Sequence, residues 1–153
     1  MTPSQARNAI KKCLQATVDR KLNDVEIGLL WDYFEASCAY CGQSLDRMSR
    51  TAHLDHLVAG AKFGSNRLAN RVLTCGKCNG DEKREATWLE FLTFKCGANY
   101  EEFQSRRSRI VKWIELNGSL QMLEQQQIEL IEAAYMRVNA VLSVCIAELR
   151  TGG

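Results

Sequence analysis

Cys38-Ala39-Tyr40-Cys41-Gly42 and Cys75-Gly76-Lys77-Cys78-Asn79 frame the middle of this 153-residue chain, with residues 42–74 between the two cysteine pairs. Two Cys-x-x-Cys turns brought together supply four thiolates, the tetrahedral sulfur shell that zinc prefers at Zn–S distances near ~2.3 Å. Such a shell is closed and leaves no position for water, so zinc held by Cys38, Cys41, Cys75 and Cys78 is expected to be structural. The intervening segment is too short to bury much apolar surface of its own. A structural zinc contributing on the order of 10–16 kcal/mol of apparent binding free energy would tie it into one fold. Four unrelated buried cysteines, or a redox pair, are the competing reading, and the matched spacing of two pairs argues against both.

Composition narrows the rest. The chain is 46% hydrophobic and 25% charged with a single proline, values of a folded protein rather than a disordered or fibrous one. Seven cysteines, an odd number, argue against a disulfide framework. Cys13, Cys96 and Cys145 fall singly in helix-like stretches and read as small hydrophobes. No uninterrupted apolar run approaches the ~18–20 residues of a bilayer span, and the first residues lack a signal-like apolar stretch. The expectation is an intracellular, cytoplasmic protein. Net charge is +2, but residues 1–114 carry 18 Lys+Arg against 13 Asp+Glu, whereas residues 115–153 carry 2 against 5. The basic excess therefore accompanies the cysteine pairs and allows an acidic partner.

The periodicity divides the chain into N-terminal helices over 1–36, a mixed core over 37–97, and C-terminal helices over 98–153. Ile10, Leu14 and Val18 stripe a first helix; Ile27, Leu30, Trp31 and Phe34 stripe a second, over 24–36, with Asn23 as N-cap. In the core, residues 51–58 and 71–74 read as strands of a hairpin with a long glycine-containing loop, and residues 79–94 as a helix. Phe103, Ile110 and Ile114 space a helix closed by Asn117-Gly118. A last helix is expected over 119–150, where Ile128, Ile131, Tyr135, Val138, Leu142, Cys145 and Leu149 alternate spacings of three and four, an a/d seam. That seam fits either packing on the N-terminal helices or a homodimer.

His53 and His56 are the only histidines. A two-Cys/two-His finger needs three to five residues between helical histidines, whereas two intervene here in a strand-like stretch. With zinc already satisfied by sulfur, Asp55-His56 is free for other work. His53, on the strand face of Asp55, reads as an incidental hairpin residue.

Cys38–Cys41, Asp55-His56, Asn70, Cys75–Cys78 and Asn79 together resemble the HNH endonucleases of the ββα-metal superfamily in their zinc-stapled form, over roughly residues 37–84. Asn79 beside four zinc-binding cysteines also resembles the junction-resolving phage endonucleases. The resemblance implies an α+β, mainly helical fold, with a ββα-metal motif stapled by a four-cysteine zinc site and flanked by helices. It further implies a metal-dependent DNA endonuclease that leaves 5′-phosphate and 3′-hydroxyl ends. His56 would be the general base, Asp55 and Asn79 the oxygen ligands of one catalytic magnesium (manganese substituting), and Asn70 the residue steadying the loop and the histidine. A histidine titrating near pH ~6.5 suits a base at neutral pH.

Three positions depart from the family pattern: Ala59 stands for a proline, Phe63-Gly64 for Gly-Gly, and Glu82 for a lysine that here comes one residue later as Lys83. Lys62, Arg67, Arg71, Lys77, Lys83 and Arg84 are the candidate contacts to DNA, with Arg106, Arg107, Arg109 and Lys112 as a second cluster. Duplex or branched DNA is the expected partner. The competing class is a non-catalytic zinc module that binds nucleic acid, or a zinc-stapled adaptor recruiting a protein through its heptad seam.

Overall fold

The computed structural model describes residues 2–84 and 86–151. The chain forms an α+β, mainly helical protein in two compact units, Lys21–Met122 and Met1–Arg20 with Leu123–Gly153.

The larger unit is organised around a two-stranded antiparallel hairpin, β1 (Ala52–His56) and β2 (Arg71–Cys75). Its register pairs Ala52 with Cys75, Asp55 with Val72 and His56 with Arg71. One end of the hairpin therefore carries a zinc-type cysteine and the other the candidate base. The helix α2 (Asp24–Tyr33) is capped by a reciprocal pair of bonds between Asn23 and Glu26. It stops three residues short of the expected end because Glu35 and Ala36 both turn left-handed, with φ of 50° and 49°. The Ala36 N–H closes back on the Trp31 carbonyl at 3.0 Å, so the chain leaves the helix directly into the first cysteine turn. Leu30, Phe34, Tyr40, Val72, Leu73, Leu92 and Ile110 fill the core between helices and hairpin. Trp113 of α4 (Tyr100–Leu116) donates its indole N–H to the carbonyls of Leu68 at 3.1 Å and Arg71 at 2.9 Å, fixing the start of β2.

The helix expected over 79–94 is two pieces. Lys77–Glu82 winds as a π-helix, Arg84 then adopts a φ of 44°, and α3 (Trp88–Cys96) begins afresh. The break has a local cause: Thr87 accepts from the Glu90 N–H at 3.3 Å while Glu90 accepts from the Thr87 N–H at 2.9 Å, a capping box that starts a helix of its own.

The hairpin loop is held by Gly64 and Asn70. A Cβ on Gly64 would lie 1.8 Å from the Val58 carbonyl oxygen, so only glycine fits, while Phe63 before it takes the left-handed conformation at φ 57°. Gly64→Ala should lower stability by at least the ~1–3 kcal/mol typical of overpacking, seen as a shifted denaturation midpoint with an unchanged slope.

In the smaller unit, α1 (Pro3–Val18) packs on α5 (Gln125–Thr151). Arg7 donates to Asn139 Oδ1 at 2.7 Å and Ser143 Oγ at 3.2 Å. The last helix begins at Gln125 rather than at 119 because the preceding backbone is spent on the hairpin loop: Ser65 donates to the Gln121 carbonyl at 3.3 Å and Met122 bridges to Gly64. The expectation about membrane spans is also corrected, since α5 is long and apolar enough by length and composition to cross one. Counting uninterrupted apolar residues does not find it: Glu132, Arg137, Asn139 and Ser143 break the run, while the average over the helix stays apolar.

Candidate active site and metal centre

Cys38, Cys41, Cys75 and Cys78 bring their sulfur atoms within 4.8 Å of one another. The first pair sits on a turn in which Cys38 donates to the Gln43 carbonyl at 2.9 Å and Gly42, at φ 72°, donates to the Cys38 carbonyl at 2.8 Å. A second bond, from the Ala39 N–H to the Leu73 carbonyl at 2.8 Å, fastens this turn to β2. The second pair continues from β2, with the Gly76 N–H on the Thr51 carbonyl at 2.8 Å and the Cys78 N–H on Cys75 Sγ at 3.5 Å. The hydrogen bond with Cys78 lowers the Cys38 thiol to about 5, while the same pairing pushes Cys78 far up and burial raises Cys41 to about 11. Protons are shared unequally because four thiolates repel; a dication removes that repulsion and lets all four ionise. The sulfur donors and their closed grouping fit structural zinc.

At the far end of the hairpin, His56 is part-buried. The Arg71 guanidinium lies against both ring nitrogens, 2.6 Å from Nδ1 and in contact with Nε2, and Nε2 also lies 3.0 Å from Asn66 Oδ1. Burial first, and the Arg71 charge second, hold the imidazole down to about 4, so it is neutral at pH 7. Asn70 is fully buried and spans the loop: its Oδ1 accepts from the Val58 N–H at 2.7 Å, and its amide donates to the carbonyls of Val58 at 3.0 Å and Ser65 at 2.8 Å. It braces the backbone two residues beyond His56, whereas the residue on the ring itself is Asn66, which the sequence reading passed over as loop.

The π-helix lies along the β1 face that carries His53 and Asp55. Asn79 Nδ2 donates to His53 Nδ1 at 3.1 Å, giving that histidine a partner in the site and fixing the carboxamide's orientation. Asp55 Oδ2 accepts from the Tyr40 hydroxyl at 2.9 Å and from the Lys83 ammonium at 2.7 Å. Tyr40 is completely buried, and no feature of its Cys-x-x-Cys turn marked it as a carboxylate partner.

The basic residues divide. Lys62, Arg67, Lys77 and Arg84 lie at the surface, Arg67 against Gln121 and Lys77 3.5 Å from Glu82. Arg71 turns inward, to His56 and to the Leu54 carbonyl at 2.9 Å. Lys83 does not lie at the surface with the others: it is 4% exposed because the wide π turn carries it under the hairpin. In the second cluster Arg106 donates to the Tyr40 carbonyl at 3.0 Å and Arg109 to the Tyr33 carbonyl at 2.7 Å, leaving Arg107 and Lys112 as the exposed members.

A search of curated proteins found no match to this chain. The family model of the HNH endonucleases matches residues 38–85, a span that opens at the first thiol, takes in the whole hairpin and closes just past the π turn. With the four-cysteine cluster at one end of that hairpin and Asp55 and His56 at the other, this segment is similar to the HNH endonucleases in their zinc-stapled form, a likeness that supports a nuclease-type function on nucleic acid.

Proposed function

We propose that the chain is a metal-dependent DNA endonuclease in which His56 is the general base, Asp55 and Asn79 hold one magnesium ion, and hydrolysis leaves 5′-phosphate and 3′-hydroxyl ends. The observation that carries this reading is the neutral imidazole of His56 held at the hairpin end next to Asp55, with Asn79 on the same strand face. The donor set suits the ion: among the described residues Asp55 Oδ1 receives no hydrogen bond, and the Asn79 amide spends its N–H on His53 and keeps its oxygen. A carboxylate and a carboxamide are the hard oxygen donors that magnesium takes together with several waters. When bound, the ion offsets charge on the phosphate and the departing oxygen.

The chain's own residues do the rest. The Arg71 guanidinium now covers the His56 ring nitrogens; when it turns to a phosphate, Nδ1 is freed to accept the proton of the attacking water. Asn66 keeps the ring in plane through Nε2, and Asn70 keeps the loop from collapsing onto it. Lys62, Arg67, Lys77 and Arg84 line the approach as phosphate contacts. The test is incubation with magnesium and a panel of plasmid, branched and single-stranded substrates. Cleavage should appear, vanish with EDTA and vanish in Asp55→Ala; a non-catalytic zinc module would cut none of them.

A homodimer fits the smaller unit. α1 covers one face of α5, while Leu130, Val138, Val141 and Val144 lie exposed on the adjoining face. Arg137 and Glu148 are exposed on the same side of α5 as that stripe, opposite charges that a two-fold antiparallel pairing centred between residues 142 and 143 sets against each other. Sedimentation should report a dimer at tens of micromolar, and Val141→Glu should convert it to monomer; a monomeric wild-type protein would refute the pairing.

A further inference from the structure

Lys83 occupies the carboxylate that the proposed function gives to the metal. Its ammonium lies 2.7 Å from Asp55 Oδ2 and 2.6 Å from the His56 carbonyl oxygen, and 5.8 Å from the centre of the Tyr40 ring. Lys83 and Asp55 are 4% and 8% exposed, so water screens the pair weakly. Its backbone is set as firmly. The Lys83 N–H reaches the Cys78 carbonyl at 3.1 Å, a bond spanning five residues, so the zinc turn itself delivers the side chain. This winding explains the displaced lysine: a π turn carries one residue more than an α turn, which brings residue 83 inward and leaves Glu82 outside, paired with Lys95 at 2.8 Å.

Charge counting gives the consequence. Around the hairpin end the Lys83 ammonium and the Arg71 guanidinium stand against the single Asp55 carboxylate, so the site is positive before any divalent ion arrives. We propose that Lys83 is the resident counter-cation of Asp55 on Oδ2, that a divalent ion taking Oδ1 repels it, and that the released ammonium passes to the substrate phosphate. The inference rests on the metal-ligand role of Asp55. Lys83 then acts as a positioning residue that keeps metal affinity low until nucleic acid supplies negative charge.

The experiment is binding of manganese to the full-length, zinc-loaded protein without nucleic acid, followed by the electron spin resonance of the free ion, so no turnover is read. Lys83→Met should tighten binding at least about tenfold, because a like charge next to the ion is gone, and Asp55→Ala added to Lys83→Met should abolish it. In wild type, saturating manganese should raise the acylation of the Lys83 amine, read by mass spectrometry, at least several-fold over the metal-free protein. That measurement needs no variant and stands even if Lys83→Met does not fold. Equal or weaker manganese binding by a folded Lys83→Met, or unchanged acylation at saturation, overturns the inference and leaves the metal assignment standing. Manganese binding that ignores Asp55 in both proteins overturns the two together.

Discussion

Stripped of zinc, the full chain should lose the cooperative unfolding of Lys21–Met122, with the loss of structured aromatic signal from Trp31, Tyr40 and Trp113. The four sulfurs join parts of the chain that nothing else joins as tightly: the exit of α2, the end of β2 and the π turn meet at Cys38, Cys41, Cys75 and Cys78. A two-stranded hairpin is marginal alone. Zinc contributing on the order of 10–16 kcal/mol equals or exceeds the ~5–15 kcal/mol by which a typical domain is stable. Without the cation, the Cys78 and Cys41 thiols stay protonated and the cluster offers only thiol contacts such as Cys41 Sγ to Cys75 Sγ at 3.8 Å. The measurement is a thermal melt by near-ultraviolet circular dichroism before and after chelation, with bound zinc quantified. Cys38→Ser or Cys75→Ser should behave as the chelated protein does. A chelated protein that melts at the wild-type temperature would show that the thiols are ordinary core residues.

The same cluster explains what the sequence made legible. Cysteine spacing reports a tetrahedral demand that few residues can meet, so the staple, the hairpin between its halves and the Asp55-His56 strand end could be read directly. Helix ends were less legible. The stripe of Trp88, Phe91 and Leu92 pointed to a helix but not to its start, which is set by the reciprocal bonds of Thr87 and Glu90. Nor did spacing expose the long-range polar contacts, because they depend on tertiary placement. Lys83 reads as a surface cation until the π turn brings it to Asp55, Tyr40 reads as part of a turn until its hydroxyl meets the same carboxylate, and Asn66 reads as loop until the strand register sets it on His56. Burial of charge is decided by partners, and partners distant in sequence leave no periodic trace.

Replacing His56 by alanine should reduce cleavage by roughly 10²–10⁴-fold, the usual worth of a positioned general base. Three features of the site make that loss chemical rather than structural. The imidazole is neutral at working pH, since burial and Arg71 hold it down to about 4, and it becomes the stronger base it needs to be when the Arg71 charge turns away to a phosphate. Its contacts are to Arg71 and Asn66, residues whose backbones are fixed independently, Arg71 by the Trp113 indole at 2.9 Å and the loop by the buried Asn70 amide. The Lys83 bond to residue 56 goes to the main-chain oxygen, which alanine keeps. His56→Ala should therefore bind its full complement of zinc, melt near the wild-type temperature and retain DNA affinity, while Asp55→Ala, which leaves the Lys83 ammonium buried without its carboxylate, should lose both stability and cleavage. Cutting by His56→Ala at the wild-type rate would move the base elsewhere; a parallel loss of zinc and melting temperature would make the histidine a structural residue instead.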